Sequence, residues 1–207
     1  MGSDNKPSYD DKSGADKPNP AFLAAGVLIP LFIGTALAAT INYLDGRQTK
    51  FTKIDQLARD DLHWLYISLV VLGRCISYIN FYPASFKKNL KGNIRSNPFF
   101  YQTEKGGERV VFQEEGTLGK YNRANRSIHH MIENSGAFFA AIAPVGYIFP
   151  KPVFGLVLLF GIGRILHQSG YTTGYGGHAL GFIFSTLSGA TMEGLALLIF
   201  LRALSFF

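Results

Sequence analysis

Hydrophobic positions along the chain fall into long runs separated by polar joints, not into the strict alternation of half-buried strands. From Ala21 to Leu44 no charged residue occurs. A helix over these residues reaches about 36 Å, enough to cross the hydrocarbon core of a bilayer with some tilt. Pro30 lies inside this run and is tolerated where neighbours satisfy the carbonyl it frees. A second run, from about Leu62 to Tyr82, carries Arg74 and closes before Pro83. His63, Trp64 and Tyr66 flank one end and Tyr78, Phe81 and Tyr82 the other, as aromatic belts do at membrane interfaces. Three further runs cover about Arg126–Phe149, Pro152–Tyr171 and His178–Leu204. Their joints, Pro150-Lys151-Pro152 and the glycine-rich 172–177, hold only a turn between antiparallel helices. The pattern predicts five spans. It also predicts a polar tail over 1–20 ahead of the first span, 21–44. A polar connection at 83–125 separates the second run from the third, and in its middle Glu108-Arg109-Val110-Val111-Phe112-Gln113 reads as a candidate short strand.

Composition agrees. Hydrophobic residues make up 47% of the 207 and charged residues 16%, against about 25% charged in soluble domains. A disordered chain, a coiled coil and a water-soluble globule are excluded, leaving an all-α, polytopic membrane helical bundle. The single Cys75 excludes a disulfide framework and a cysteine-rich zinc site, and reads as a small buried packing residue. The tail lacks both the apolar core of a signal peptide and the Arg-rich amphipathicity of a transit peptide. Eleven Lys or Arg flank the spans on the side of the tail and the 83–125 connection, against six on the other, which predicts a cytosolic, matrix or stromal face for the former. The net charge of +6 then reflects topology and attraction to anionic headgroups, with no nucleic acid required.

Charged groups at bilayer depth cost at least about 2.5 kcal/mol each and face a bundle interior or a cavity. Arg74, Glu133, Arg164 and Glu193 hold such positions, with His129, His130, His167 and His178 near span ends. Two readings stand: ion pairs between helices that fix register, or a polar ligand pocket. In the last span Gly177, Gly181, Ser185, Gly189 and Glu193 recur every four residues, a stripe suited to close helix packing within a subunit or between subunits. Glu193 is expected to find a donor across that contact. His130 and Glu133 have the spacing seen in di-iron bundles, but those need carboxylates from two more helices and only Glu193 is at hand. No metal is expected.

Two separated motifs carry a family resemblance. The run Arg126-Ser-Ile-His-His130-Met-Ile-Glu133 is similar to the Arg-x-x-x-Asn-x-x-Glu that opens a helix in the MAPEG family, the membrane-associated proteins in eicosanoid and glutathione metabolism. His130 stands in place of the Asn. Further on, Gly163-Arg164-Ile-Leu-His167-Gln-Ser-Gly170-Tyr171-Thr-Thr-Gly174 resembles the family's Arg followed seven residues later by Tyr and a glycine-containing turn. The likeness is strongest to the type-three microsomal glutathione transferases and leaves the tail and first span outside it, which makes 21–44 an extra N-terminal span and 62–207 a four-helix unit. It implies a homotrimer of four-helix protomers with glutathione held between neighbouring subunits. Arg126, His130, Glu133, Arg164, His167 and Tyr171 would then be the glutathione-binding residues, with the peptide's carboxylates on Arg and its ammonium on Glu.

The chain departs from the pattern at one point. Catalytic members carry an Arg shortly after the Tyr, whereas no Arg or Lys lies between Arg164 and Arg202 here, and His178 is the nearest basic group. The resemblance therefore supports two functions. One is a glutathione-dependent transferase or peroxidase acting on a lipophilic electrophile. The other is a catalytically silent relative serving as an accessory subunit of a larger membrane complex. Either places the chain in the endoplasmic reticulum or an organelle membrane, mitochondrial or plastid.

Overall fold

A computed structural model of the chain describes residues 17–86, 99–103, 107, 109–174 and 176–205. Most of the polar tail and the basic run Lys87, Lys88, Lys91 and Arg95 lie outside the described residues. The elements are α1 (Pro20–Leu44), α2 (Thr49–Arg59), α3 (His63–Phe81), β1 (Tyr101–Thr103), β2 (Val110–Phe112), α4 (Gly116–Ile148), α5 (Pro150–Thr173) and α6 (Ala179–Ala203). The all-α bundle is what the hydrophobic pattern predicts, and the N-terminal helix additional to a four-helix unit is what the resemblance implies. Helices α1, α5 and α6, and α3 with the short turn that continues it, are long and apolar enough to cross a membrane by length and composition. Helix α4 is more polar: Arg126, Glu133 and Asn134 precede the stretch that supplies Phe138, Ile142 and Val145 to the core.

Asn19 starts α1, its side chain accepting from the amides of Ala21 and Phe22 at 3.0 and 3.3 Å, and Pro20 follows at the first helical position. Asp45 caps the other end and pairs with Arg47 at 2.8 Å, a contact that holds the Asp45 carboxyl below its ordinary range. The turn between α4 and α5 is a single residue, Phe149, before Pro150. Lys151 there reaches Asp61 at 2.7 Å, so the start of α3 and the α4–α5 turn share one end of the bundle. At the opposite end Leu23, Tyr82, Phe86, Tyr121 and Ala124 cluster, joining the start of α1, the end of α3 and the start of α4.

The main core comprises Leu72 of α3, Phe138, Ile142 and Val145 of α4, Val153, Val157 and Phe160 of α5, and Met192 of α6. Phe138 and Phe160 stack at 4.3 Å. Cys75 is buried against the Gly161 carbonyl, Sγ to O 3.6 Å, in the packing role expected of it.

Two sequence expectations change. Helix α2 lies between the first two predicted spans, where the hydrophobic pattern marks no element, and α4 begins ten residues before the expected start at Arg126. Of the candidate strand at 108–113, Val110–Phe112 form β2 and pair antiparallel with β1, Tyr101 opposite Phe112, while Glu108 lies outside the described residues.

The small-residue stripe of α6 also divides. A Cβ on Gly181 would lie 2.2 Å from the His167 amide nitrogen and 2.5 Å from the Gly163 carbonyl, and one on Gly177 would lie 2.7 Å from the Gly170 carbonyl. Ser185 is buried against the same helix, α5. Gly189, by contrast, meets nothing within 4 Å. Glu193 is exposed and has no ion-pair partner among the described residues. The reason is geometric: four residues turn a helix through about 400°, so a strict four-residue repeat winds about 40° per step and leaves any fixed contact face. Ser188 and Met192, fully buried, take over the seam.

Gly181→Ala is therefore expected to separate α5 from α6, lowering stability by at least the 1–3 kcal/mol typical of overpacking. Gly189→Ala is expected to be neutral within about 0.5 kcal/mol. Thermal unfolding of the two variants in detergent compares them directly.

Candidate functional site

Helices α4 and α5 are joined by polar side chains that donate to main-chain carbonyls. Arg164 Nη2 donates to the Ser127 carbonyl at 3.0 Å, Gln168 Nε2 to the Ala124 carbonyl at 2.9 Å and Arg123 Nε to the Thr172 carbonyl at 3.0 Å. Ser127 Oγ and His167 Nδ1 share a hydrogen bond of 2.8 Å. A carbonyl oxygen has two lone pairs, so it takes such a donor while keeping its helical bond. Arg164 is 4% exposed, and His167 and Gln168 are fully buried. Arg74 behaves likewise, donating to the Val27 carbonyl of α1 at 2.6 Å.

The expectation of Arg–Glu pairs between helices is thus not met among the described residues. Arg74 and Arg164 each donate to a helix carbonyl instead. Glu133 pairs with Arg126 of its own helix at 3.2 Å, both side chains about half exposed. A pair two turns apart on one helix needs no second helix to assemble, and the cations inside the bundle have carbonyls within closer reach.

Around this seam four aromatic rings gather. His167 stacks on Tyr171 at 5.7 Å and 12°, His130 lies 5.8 Å from His167 and 5.9 Å from Tyr171, and His178 lies 5.2 and 5.1 Å from the same two rings. His178 is brought there by the close approach of Gly170 to Gly177 across the α5–α6 turn. Arg164 Nε, His167 Nε2, Gln168 Oε1 and His178 Nδ1 are buried without a hydrogen-bond partner among the described residues.

Next to the rings is a cavity of about 190 Å³ lined by Phe99, Phe112, Gln113, Glu114, Asn122, Arg123, Arg126 and Tyr171. Its outer wall is the hairpin β1–β2, held to α4 by Asn122. The Asn122 Oδ1 accepts from the Phe100 amide at 2.8 Å, and its Nδ2 donates to the carbonyls of Phe100 and Gln113 at 2.7 and 2.9 Å. Phe99 packs on His129 at 5.2 Å, and Phe100 on Tyr121 at 5.6 Å. Burial in that contact pushes the Tyr121 phenol above its ordinary range.

Of the six residues singled out in the sequence, His130, His167 and Tyr171 meet in the ring cluster, and Arg126 and Tyr171 border the cavity. Arg164 lies inside the α4–α5 seam and Glu133 on the outer face of α4. Sequence reasoning missed Arg123, Asn122, Ser127 and Gln168. The first two fell in a stretch read as loop, though Arg123 stands one helical turn before Arg126. Gln168 was legible as a neighbour of His167 on the same helix.

The sequence model of the MAPEG family matches residues 66–198, more than half of the chain, and the chain belongs to that family. It is an integral membrane protein whose helices contact the bilayer. No curated protein and no solved structure matches it. The matched region begins within α3, so α1 and α2 lie outside it.

Asn122→Ala removes three hydrogen bonds that attach the hairpin. It is expected to cost about 1–3 kcal/mol and to speed proteolytic cleavage within residues 99–115, while the helical circular dichroism signal stays unchanged.

Proposed function

We propose that this chain binds glutathione and uses it in a transferase or peroxidase reaction on a lipophilic electrophile. The observation that carries the reading is the convergence of two guanidinium groups, Arg123 and Arg126, with the Tyr171 ring on one cavity at the polar end of the bundle. Glutathione supplies a nucleophilic thiol together with two carboxylates and an ammonium. The donor set suits those charges. Arg126, half exposed and paired with a half-exposed carboxylate, is able to exchange that partner for a carboxylate of the ligand. Arg123, anchored at 2.7 Å to the Glu114 carbonyl and at 3.0 Å to that of Thr172, places a fixed positive charge on the same wall. Glu133, released by Arg126, is then the carboxylate for the ammonium.

About 190 Å³ is smaller than the roughly 300–1,000 Å³ of ordinary ligand clefts. One chain therefore holds one charged end of the peptide, and a second copy completes the site. This favours a homo-oligomer, a trimer by resemblance to the family. His178 and Tyr171, in ring contact with each other, are the groups next to the cavity able to accept or donate a proton in place of the absent arginine.

A second reading, the catalytically silent accessory subunit, is favoured by Arg164. Its guanidinium is buried and donates to the Ser127 carbonyl, so it makes the structure cohere instead of facing a ligand.

Calorimetric titration of the purified protein with glutathione, alongside a conjugation assay with a lipophilic electrophile, separates the two. The first reading expects binding below millimolar concentration and measurable turnover. Arg126→Ala should weaken binding at least tenfold, about 1.4 kcal/mol. Absence of binding at millimolar glutathione overturns it, and binding without turnover selects the second.

A further inference from the structure

Helix α2 lies outside the family's matched region and has no buried residue. At about 100° per residue, Phe51, Ile54 and Ala58 fall within roughly 60° of one another, and Thr49, Thr52 and Gln56 lie on the opposite arc. Phe51 is 48% and Ile54 55% exposed. The apolar arc is therefore uncovered by the described residues of this chain. Both ends of the helix are tied to spans. Lys50 Nζ donates to the carbonyls of Asn42 and Asp45 at the end of α1, and the Leu62 amide just before α3 donates to the Leu57 carbonyl at 2.9 Å. Asp61, at φ 59°, makes the sharp turn into α3.

We infer that α2 lies in the plane of the bilayer surface, with Phe51, Ile54 and Ala58 inserted at the boundary between headgroups and acyl chains. Chain continuity places it there, because the joints at 45–48 and 60–62 are too short to carry it away from two helices that cross the membrane. The depth is marked independently. Trp64, packed on Phe154 at 5.0 Å, and the exposed Tyr66 stand in the first turn of α3, where aromatic residues mark the headgroup level. Segment 45–61 balances Arg47, Lys50, Lys53 and Arg59 against Asp45, Asp55, Asp60 and Asp61. Insertion is therefore driven by apolar area and not by anionic lipid. The inference concerns how the chain sits in lipid and stands whether or not glutathione binds.

The test is a nitroxide scan of the full-length protein in phospholipid nanodiscs, with single cysteines at positions 51–54, 56 and 58 on a Cys75→Ala background. Should that background fail to fold, the native buried thiol is kept and checked for labelling. The expected result is an oxygen-to-nickel accessibility ratio several-fold higher at 51, 54 and 58 than at 52, 53 and 56. That contrast should be the same at low and high salt and in zwitterionic and anionic lipid. Uniformly high access of the nickel complex puts α2 in water and overturns the inference. Loss of access to both reagents at 51, 54 and 58 means a protein partner covers the face, and overturns it equally. A contrast seen only in anionic lipid at low salt does the same to the claim that apolar area drives insertion.

Discussion

A cation inside a bilayer must find electron density, and here the nearest supply is the helix backbone. Arg164, Gln168 and Arg123 each reach a carbonyl across the α4–α5 contact, at Ser127, Ala124 and Thr172. These bonds run along the polar-end half of both helices and set their register. An ion pair would hold two long side chains at one point. A side chain bonded to a carbonyl docks onto a rigid element and loses only its own freedom. Breaking such a contact leaves a buried donor unsatisfied, so the register is hard to slip. Everything at the polar end inherits its geometry from this seam.

The second constraint is the absence of side chains where α5 meets α6. Gly163, Gly170, Gly177 and Gly181 let the two backbones touch. That contact swings the start of α6 over the end of α5 and sets the His178 ring against Tyr171 and His167. One helix pair is therefore fastened by polar reach and the other by close packing, and the ring cluster stands where they meet. The cavity beside it exists because the hairpin, hung on Asn122, roofs the first turns of α4.

Much of the bundle was legible because bilayer crossing leaves a coarse signal: runs of uncharged residues with prolines, aromatics and charge at the joints. The edges of α5 and α6 fall within two residues of those expected. What escaped had a finer cause. The first ten residues of α4 are polar enough to read as loop, and they fold because Tyr121 and Ala124 are buried against Tyr82 and Phe86 from a distant part of the chain. Helix α2 carries three apolar residues on one arc in a segment too polar to register as hydrophobic. The division of the stripe at Ser185 was available from helix geometry alone. The choice of carbonyl over carboxylate as partner for Arg74 and Arg164 was not, because sequence lists side chains and leaves the backbone's spare lone pairs out of sight.

The additional helix α1 obeys the same rule as the core it joins. Pro30 offers no N–H to the Gly26 carbonyl one turn earlier, so the backbone there is the polar weak point of an otherwise apolar span. Arg74 of α3 donates to the adjacent carbonyl, that of Val27, and Gly26 lets the Phe81 ring lie against the helix, where a Cβ would stand 2.6 Å from it. Phe22 adds an edge contact to the same ring at 5.8 Å. These contacts all fall in the first third of α1, and residues 32–44 are exposed all round. Among the described residues, the extra span is therefore fastened to α3 and α4 at the end where Leu23 joins Tyr82, Phe86 and Tyr121. That cluster supports the start of α4, and with it the turns that carry Arg123 and Arg126. An element outside the region that the family model matches is thus built into the wall behind the candidate site, while its far half is left exposed and leads into α2.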